Sequence, residues 1–231
     1  MTVELEPHVG RIASDRQLGG LLWSRRLTKP DKGWSDRSLV KSASTVHVFE
    51  HGCVLGHDSE ESTNAFRWDE VISFSQKVVE HMVNKSSLQM QYKYESTEYG
   101  FTFKLPGRTL VLTGRGTDKR GSALEGFREL VSPLVARAQV PGMLAALQRG
   151  ETLEFGSLKV ALTGLSKPAW RKKNQNLAWK DLRDVAVIRG NVRIRSHNDG
   201  FVNWFDAPVG DVPNLDALLQ VLEVCSQSGR A

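Results

Sequence analysis

Phe66-Arg67-Trp68-Asp69-Glu70-Val71 and Leu177-Ala178-Trp179-Lys180-Asp181-Leu182 decide the reading of this chain. Each sets a tryptophan two positions after an apolar residue and three before an aliphatic one, with an acidic residue in between. Each follows a glycine-punctuated hairpin, Phe49-Glu50-His51-Gly52-Cys53-Val54-Leu55 in the first half and Glu154-Phe155-Gly156-Ser157-Leu158-Lys159-Val160 in the second. In each half the strand-like runs close on an amphipathic helical stretch. A unit of strands then helix that occurs twice turns the search from catalytic motifs to binding surfaces.

Working outward from Trp68, the period is two from Thr45 onward. With His51-Gly52 as the turn, Val46–Glu50 pairs with Cys53–His57. Further strands are expected at 64–68, 71–83, 88–94, 99–104 and 109–113. Alternation puts Leu88, Met90, Tyr92 and Tyr94 on one face of a half-buried antiparallel strand. Ser122-Ala123-Leu124-Glu125 has the form of a capping box, and Leu124, Phe127, Val131, Leu134 and Val135 make a helical stripe. Pro133 is expected to kink or split that helix, and Pro141 to open another helical piece through about Gln148. Before Thr45, Ser14 is expected to cap a short helix that packs Leu18, Leu22 and Trp23 onto the first unit, followed by a basic connector.

Around Trp179 the strands expected are 153–155, 158–163, 176–179, 185–189 and 192–196, with another near 201–206. Arg189-Gly190-Asn191 reads as a tight hairpin. Asn214 stands before a helix whose Leu215, Leu218, Leu219 and Leu222 fall on one face, as suits a helix lying on a sheet.

Gly150-Glu151, Phe155-Gly156, Gly164, Trp179-Lys180-Asp181-Leu182, Gly190, Trp204 and Val212-Pro213-Asn214 together resemble an uncharacterised family of bacterial tandem pleckstrin-homology-like (PH-like) proteins, a domain of unknown function. The resemblance is carried by residues 150–225, and by 45–148 through the echo alone. It implies a mainly β, α+β fold of two tandem antiparallel sandwich or barrel units, each capped by a C-terminal helix. The division expected is an N-terminal lead-in at 1–43, a first domain with helical connector at 44–149 and a second domain at 150–231. The resemblance implies a fold and no activity. Lipid-binding PH domains carry a tryptophan in the terminal helix, and the helix here has none, so phosphoinositide recognition is not carried over.

Composition narrows the classes. The 231 residues are 40% hydrophobic and 25% charged, ordinary for a folded chain, and 31 basic against 26 acidic residues leave a net charge of +5. A surplus this small permits anionic partners without requiring them. Cys53 and Cys225 are the only cysteines, too few for a disulfide framework or a cysteine zinc site. With no apolar leader core and no uninterrupted apolar run near the length of a membrane span, the expectation is a cytoplasmic protein.

Catalytic chemistry is not expected. The strand Leu110–Gly114 followed by Gly116–Ser122 and a helix has the outline of a phosphate loop, but the lysine after Gly121 is missing. His47, His51, Cys53 and His57 suggest a metal site, yet the hairpin register sends His47 and His57 to opposite faces. No metal and no cofactor are therefore expected. The loops before the two tryptophans differ in charge, with Asp58, Glu60 and Glu61 in the first unit against Lys167, Trp170, Arg171, Lys172 and Lys173 in the second. By strand parity Arg189, Arg193 and Arg195 extend the basic set. Any anionic partner would dock there, although charge runs more often serve solubility. The function expected is a non-catalytic module binding a protein or peptide through a sheet edge or groove. Peripheral attachment to anionic phospholipid at the inner membrane face is the second reading, a phosphate-ligand enzyme a weak third, and nucleic acid is not an expected partner.

Overall fold

The computed structural model describes residues 5–26, 45–56, 63–86, 91–117, 124, 126–168, 175–198 and 202–228. It is an α+β chain, mostly antiparallel β with three helices, and among the described residues no sheet closes into a barrel. Two compact units meet at Leu134/Val135.

The first unit opens with helix α1 (Pro7–Asp15) and strand β1 (Leu21–Arg26). Pro7 suits the first helical turn because its missing N–H would have no partner there. Gln17, at φ 54°, then turns the chain, and Leu18 N–H reaches back to Ala13 O at 2.9 Å. Ser14 thus lies in the last turn of the helix instead of capping one, and Leu22–Trp23 are strand, because the helix stops at Asp15 and Gln17 turns the chain before Gly19-Gly20. Strand β1 pairs with β2 (Thr45–Phe49), then β3 (Gly52–Gly56) and β4 (Asn64–Arg67) follow in antiparallel order. The hairpin turn is Glu50-His51, so His47 faces Val54 across the ladder and not Gly56. Moving the turn by one residue moves each partner by two, which keeps every side chain on the face that alternation assigned.

After a 3₁₀ turn at Trp68–Glu70 the chain builds a second sheet from β5 (Ser73–Ser86), β6 (Gln91–Leu105) and β7 (Arg108–Thr117). The strands expected at 88–94 and 99–104 are one strand, β6, paired with β5 along most of its length and with β7 from Ser96 to Leu105. Leu88 and Met90, and the side chains of Tyr92 and Tyr94, lie outside the described residues. Two sheets and a helix meet over an aromatic core. Phe66 and Trp68 from the first sheet touch Phe103; Phe74 and Phe101 continue it; Phe127 of the closing helix touches Phe101 and Trp23. Ring centroids along this chain are 4.8–6.4 Å apart, within the range in which aromatic pairs add to plain burial.

Helix α2 (Phe127–Gln148) contributes its first turns to the first unit and the rest to the second. It is continuous through Pro133 and Pro141, contrary to the expected break. Both prolines are exposed, and each forfeits one backbone bond in a helix held by buried Phe127, Val131, Val135, Ala136, Ala146 and Leu147. By length and composition alone α2 could cross a membrane, but those buried residues are what a core helix requires.

The second unit repeats the plan. Strands β8 (Leu153–Phe155), β9 (Leu158–Ala161), β10 (Gly164–Lys167) and β11 (Gln175–Ala178) form one sheet. A 3₁₀ turn at Trp179–Asp181 leads to β12 (Leu182–Ile188), β13 (Asn191–Ser196) and β14 (Asn203–Pro208). Helix α3 (Leu215–Ser228) closes it, burying Leu215, Leu218, Val221 and Leu222. Strand β10 is the element alternation did not reveal. Its core, around Phe155, Leu165, Trp179, Ile194 and Leu218, is mainly aliphatic.

The two tryptophans occupy matching corners. Trp68 is 2% exposed and its indole N–H donates to Phe49 O at 3.2 Å; Trp179 is 6% exposed and donates to Leu162 O at 2.9 Å. Each acceptor lies at the hairpin turn one strand back. Each corner also demands a glycine. A Cβ at Gly52 would collide with the Phe66 carbonyl oxygen and sit 3.1 Å from the Arg67 Cα; one at Gly164, whose φ is +144°, would collide with Leu177 O and sit 3.0 Å from the Ala178 Cα. The glycine that answers Gly52 is therefore Gly164 and not Gly156, which belongs to the β8–β9 turn.

Gly52→Ala and Gly164→Ala are each expected to destabilise the protein by about 3 kcal/mol, since backbone must move to admit the methyl group. Gly10→Ala, in open space within α1, should stabilise by about 0.5–1 kcal/mol. Urea unfolding of the three variants checks the contrast.

Candidate functional site

The basic set expected on the second unit divides when placed on the fold. Lys167 is the last residue of β10, where its ammonium donates to the carbonyl of buried Trp204 and lies 5.0 Å from the centre of that indole ring. Arg193 and Arg195 do share one face of β13, alternating with buried Val192, Ile194 and Ser196. Both are paired across the sheet. Arg195 Nε donates to Asp184 Oδ1 at 2.8 Å on β12, and this carboxylate holds the guanidinium above its ordinary value. Arg193 Nε lies 3.1 Å from Asp206 Oδ2 on β14. Arg189 is not on that face, because it occupies the β12–β13 turn at φ 51° with exposed Gly190. Trp170, Arg171, Lys172 and Lys173, like Asp58, Glu60 and Glu61, lie outside the described residues. What parity predicted as a cationic face is, at Arg193 and Arg195, a pair of cross-strand ion pairs.

The glycine-rich stretch is likewise different. Gly114 and Gly116 continue β7, pairing with Tyr99 and Thr97, so the first half of the supposed phosphate loop is ladder. Residues 118–123, with Gly121 and Ser122, lie outside the described residues. The described helix begins at Phe127, after Gly126 at φ 75°.

An open groove of about 390 Å³ lies in the first unit, which the sequence did not point to. Val78 of β5, Tyr99 and Phe101 of β6, and Leu124, Gly126, Arg128 and Glu129 at the start of α2 line it. Val78 is 51% exposed. Strand β5 is an edge, paired among the described residues with β6 alone. A strand that is an edge among the described residues, two aromatic side chains and a charged helix start thus line the groove together.

The histidines named above are placed as follows. No group of three or more His, Cys, Asp or Glu side chains able to hold an ion occurs among the described residues, and His57 falls outside them. His47 is buried and shares a hydrogen bond of 2.9 Å between Nδ1 and Ser24 Oγ, while His51 is exposed in the hairpin turn. Cys53 is wholly buried, and burial pushes its thiol far above the ordinary range; Cys225 is raised for the same reason. A raised value disfavours the thiolate at both positions.

The arrangement therefore defines an α+β protein of two compact units, mostly antiparallel β. Residues 119–231, which take in α2 and the second unit, match the model of a family of unknown function, DUF6585. No curated protein and no solved structure matches the chain.

If Arg193 and Arg195 are already neutralised by Asp206 and Asp184, replacing all four with alanine, which keeps the net charge, should leave retention on an immobilised polyanion unchanged. Elution at a lower salt concentration than the parent would show instead that the pairs open to bind anions.

Proposed function

We propose that the chain is a non-catalytic interaction module of two tandem PH-like units, and that its first unit binds an extended peptide by strand addition at β5. The order of four strands, a 3₁₀ corner, three strands and a closing helix, given twice, supports the PH-like reading. The groove beside β5 is the observation that carries the binding function. An extended peptide laid along that edge would supply the backbone partners the edge lacks, and side chains of alternate residues would enter the groove over Val78, Tyr99 and Phe101. Sheet edges left open invite association, so an open edge beside an apolar groove is better suited to a partner than to solvent. The anionic-lipid reading is the weaker one, because Lys167, Arg193 and Arg195 are engaged internally and three adjacent charges at Arg171–Lys173 support only weak, salt-sensitive attachment, about 1 kcal/mol each near a membrane.

A randomised peptide library displayed on phage and selected against the whole chain tests this reading. The expected result is enrichment of sequences with apolar residues at alternate positions. Val78→Asp, an exposed change that should alter stability by no more than about 0.5 kcal/mol, should weaken the selected peptides at least tenfold. Failure to enrich, or peptides indifferent to Val78→Asp, would remove β5 as the site.

A further inference from the structure

The sheet β1–β4 is buried on both faces. One face, with Val46, Val48, Cys53, Leu55 and Phe66, turns to the aromatic core. The other carries Phe49, Val54 and Ala65, which pack with Val9 and Ala13 of α1 and with Leu18. His47 stands on that second face, since alternation puts it with Phe49 and the ladder sets it directly between Ser24 and Val54. On the face that packs the apolar side of α1, at 2% exposure, lies an ionisable side chain.

Its hydrogen bonding is incomplete. Nδ1 is joined to Ser24 Oγ, but among the described residues buried Nε2 has no hydrogen-bond partner, and neither has Thr45 Oγ1. Neutral imidazole tolerates this, because the proton can sit on Nδ1 and leave only a bare lone pair on Nε2. Imidazolium does not, because Nε2–H then needs an acceptor in a place that offers none. Among the described residues the groups facing it from each side are few. From the start of α1 come Glu6 and His8, themselves 3.4 Å apart; from β1 come the Ser24 hydroxyl and, opposite Thr45, exposed Arg26; from β2 comes Thr45 and from β3 only Val54 and Gly56. A proton on His47 would face the carboxylate of Glu6 from the start of α1.

We propose that α1 is an acid-released cover, held on the β1–β4 sheet while His47 is neutral and let go when His47 takes a proton. Leaving would hydrate Nε2 and expose the apolar strip of Phe49, Val54 and Ala65. Burial, the largest influence, lowers the readiness of His47 to protonate; Glu6 raises it and His8 lowers it. A folded-state value below the unfolded one near 6.5 means that the cover is fully held above that pH and loosens progressively as pH falls below it. Arg67 sets the limit of the motion. It donates to Arg16 O and Gln17 O at 3.5 and 3.3 Å, and Arg16 pairs with Glu70 at 3.1 Å, so the C-terminal end of α1 stays clasped to the Trp68 corner by contacts that do not involve His47.

Amide hydrogen exchange of the whole chain at pH 7.5 and 5.0, corrected for the intrinsic pH dependence, tests the proposal. Amides of residues 9–15 should lose protection at least tenfold at pH 5.0 in the parent, while those of α3 hold theirs. His47→Gln, which is neutral at both pH values, should keep α1 protected at pH 5.0. A parent helix equally protected at both pH values would overturn the proposal, as would a variant that loosens as the parent does. If His47→Gln does not fold, the proton resonances of His47 in the parent decide. Titration in step with the loosening of α1 upholds the latch, and titration with α1 still protected sinks it.

Discussion

The corner at which the chain leaves its first sheet for its second is the constraint on which each unit depends. A tryptophan fills it, bonds through its indole N–H to the turn one strand back, and starts a 3₁₀ turn that redirects the backbone. The side chain fits only because the neighbouring strand begins with a glycine, over whose Cα the carbonyl two residues before the tryptophan passes closely. Indole, carbonyl and glycine thus form one device, and the sheet-to-sheet angle, the aromatic contacts of Trp68 with Phe66 and Phe103, and the placement of the closing helix follow from it.

That device is why the duplication was legible at the two tryptophans and at few other places. The cores differ, since phenylalanines at 66, 74, 101, 103 and 127 fill the first and aliphatic residues fill most of the second. Cores of equal volume accept such exchange, so the alternation of apolar and polar survives while residue identity does not. Class, the two helical closures and most strands could be read from that alternation. Strand β10 could not, because Gly164-Leu165-Ser166-Lys167 has one large apolar residue and a glycine that propensity counts against a strand. Gly52 held the missing signal, as it stands at nearly the same distance before Trp68 as Gly164 does before Trp179. Strand β6 was divided by the polar run Glu95–Glu98, yet Ser96 and Thr97 are buried between β5 and β7, where ladder pairing decides the conformation.

The candidate surface was harder to read. Charge in a sequence says nothing of what stands across the ladder, and at Arg193 and Arg195 what stands there is aspartate. A groove, for its part, is made of residues far apart in the chain: Val78, Phe101 and Arg128 come together only when β5, β6 and α2 do. Binding by backbone leaves no motif at all, because an edge donates its amide and carbonyl groups whatever its side chains are.

The path of α2 has a practical meaning for anyone dividing this chain. The helix closes one unit with Phe127 and Val131 and, further along, supplies Val140, Met143, Leu144 and Leu147 to the core of the other. A truncation after Arg149 would strip the second unit of four apolar contributors, and one at Leu134/Val135 would leave two half-helices with new frayed ends. The matched segment beginning at residue 119 avoids both faults, since it keeps α2 whole. Expression of the second unit alone is therefore a matter of where the helix is allowed to start, and the first unit cannot be trimmed to the contact boundary without cutting through an α-helix.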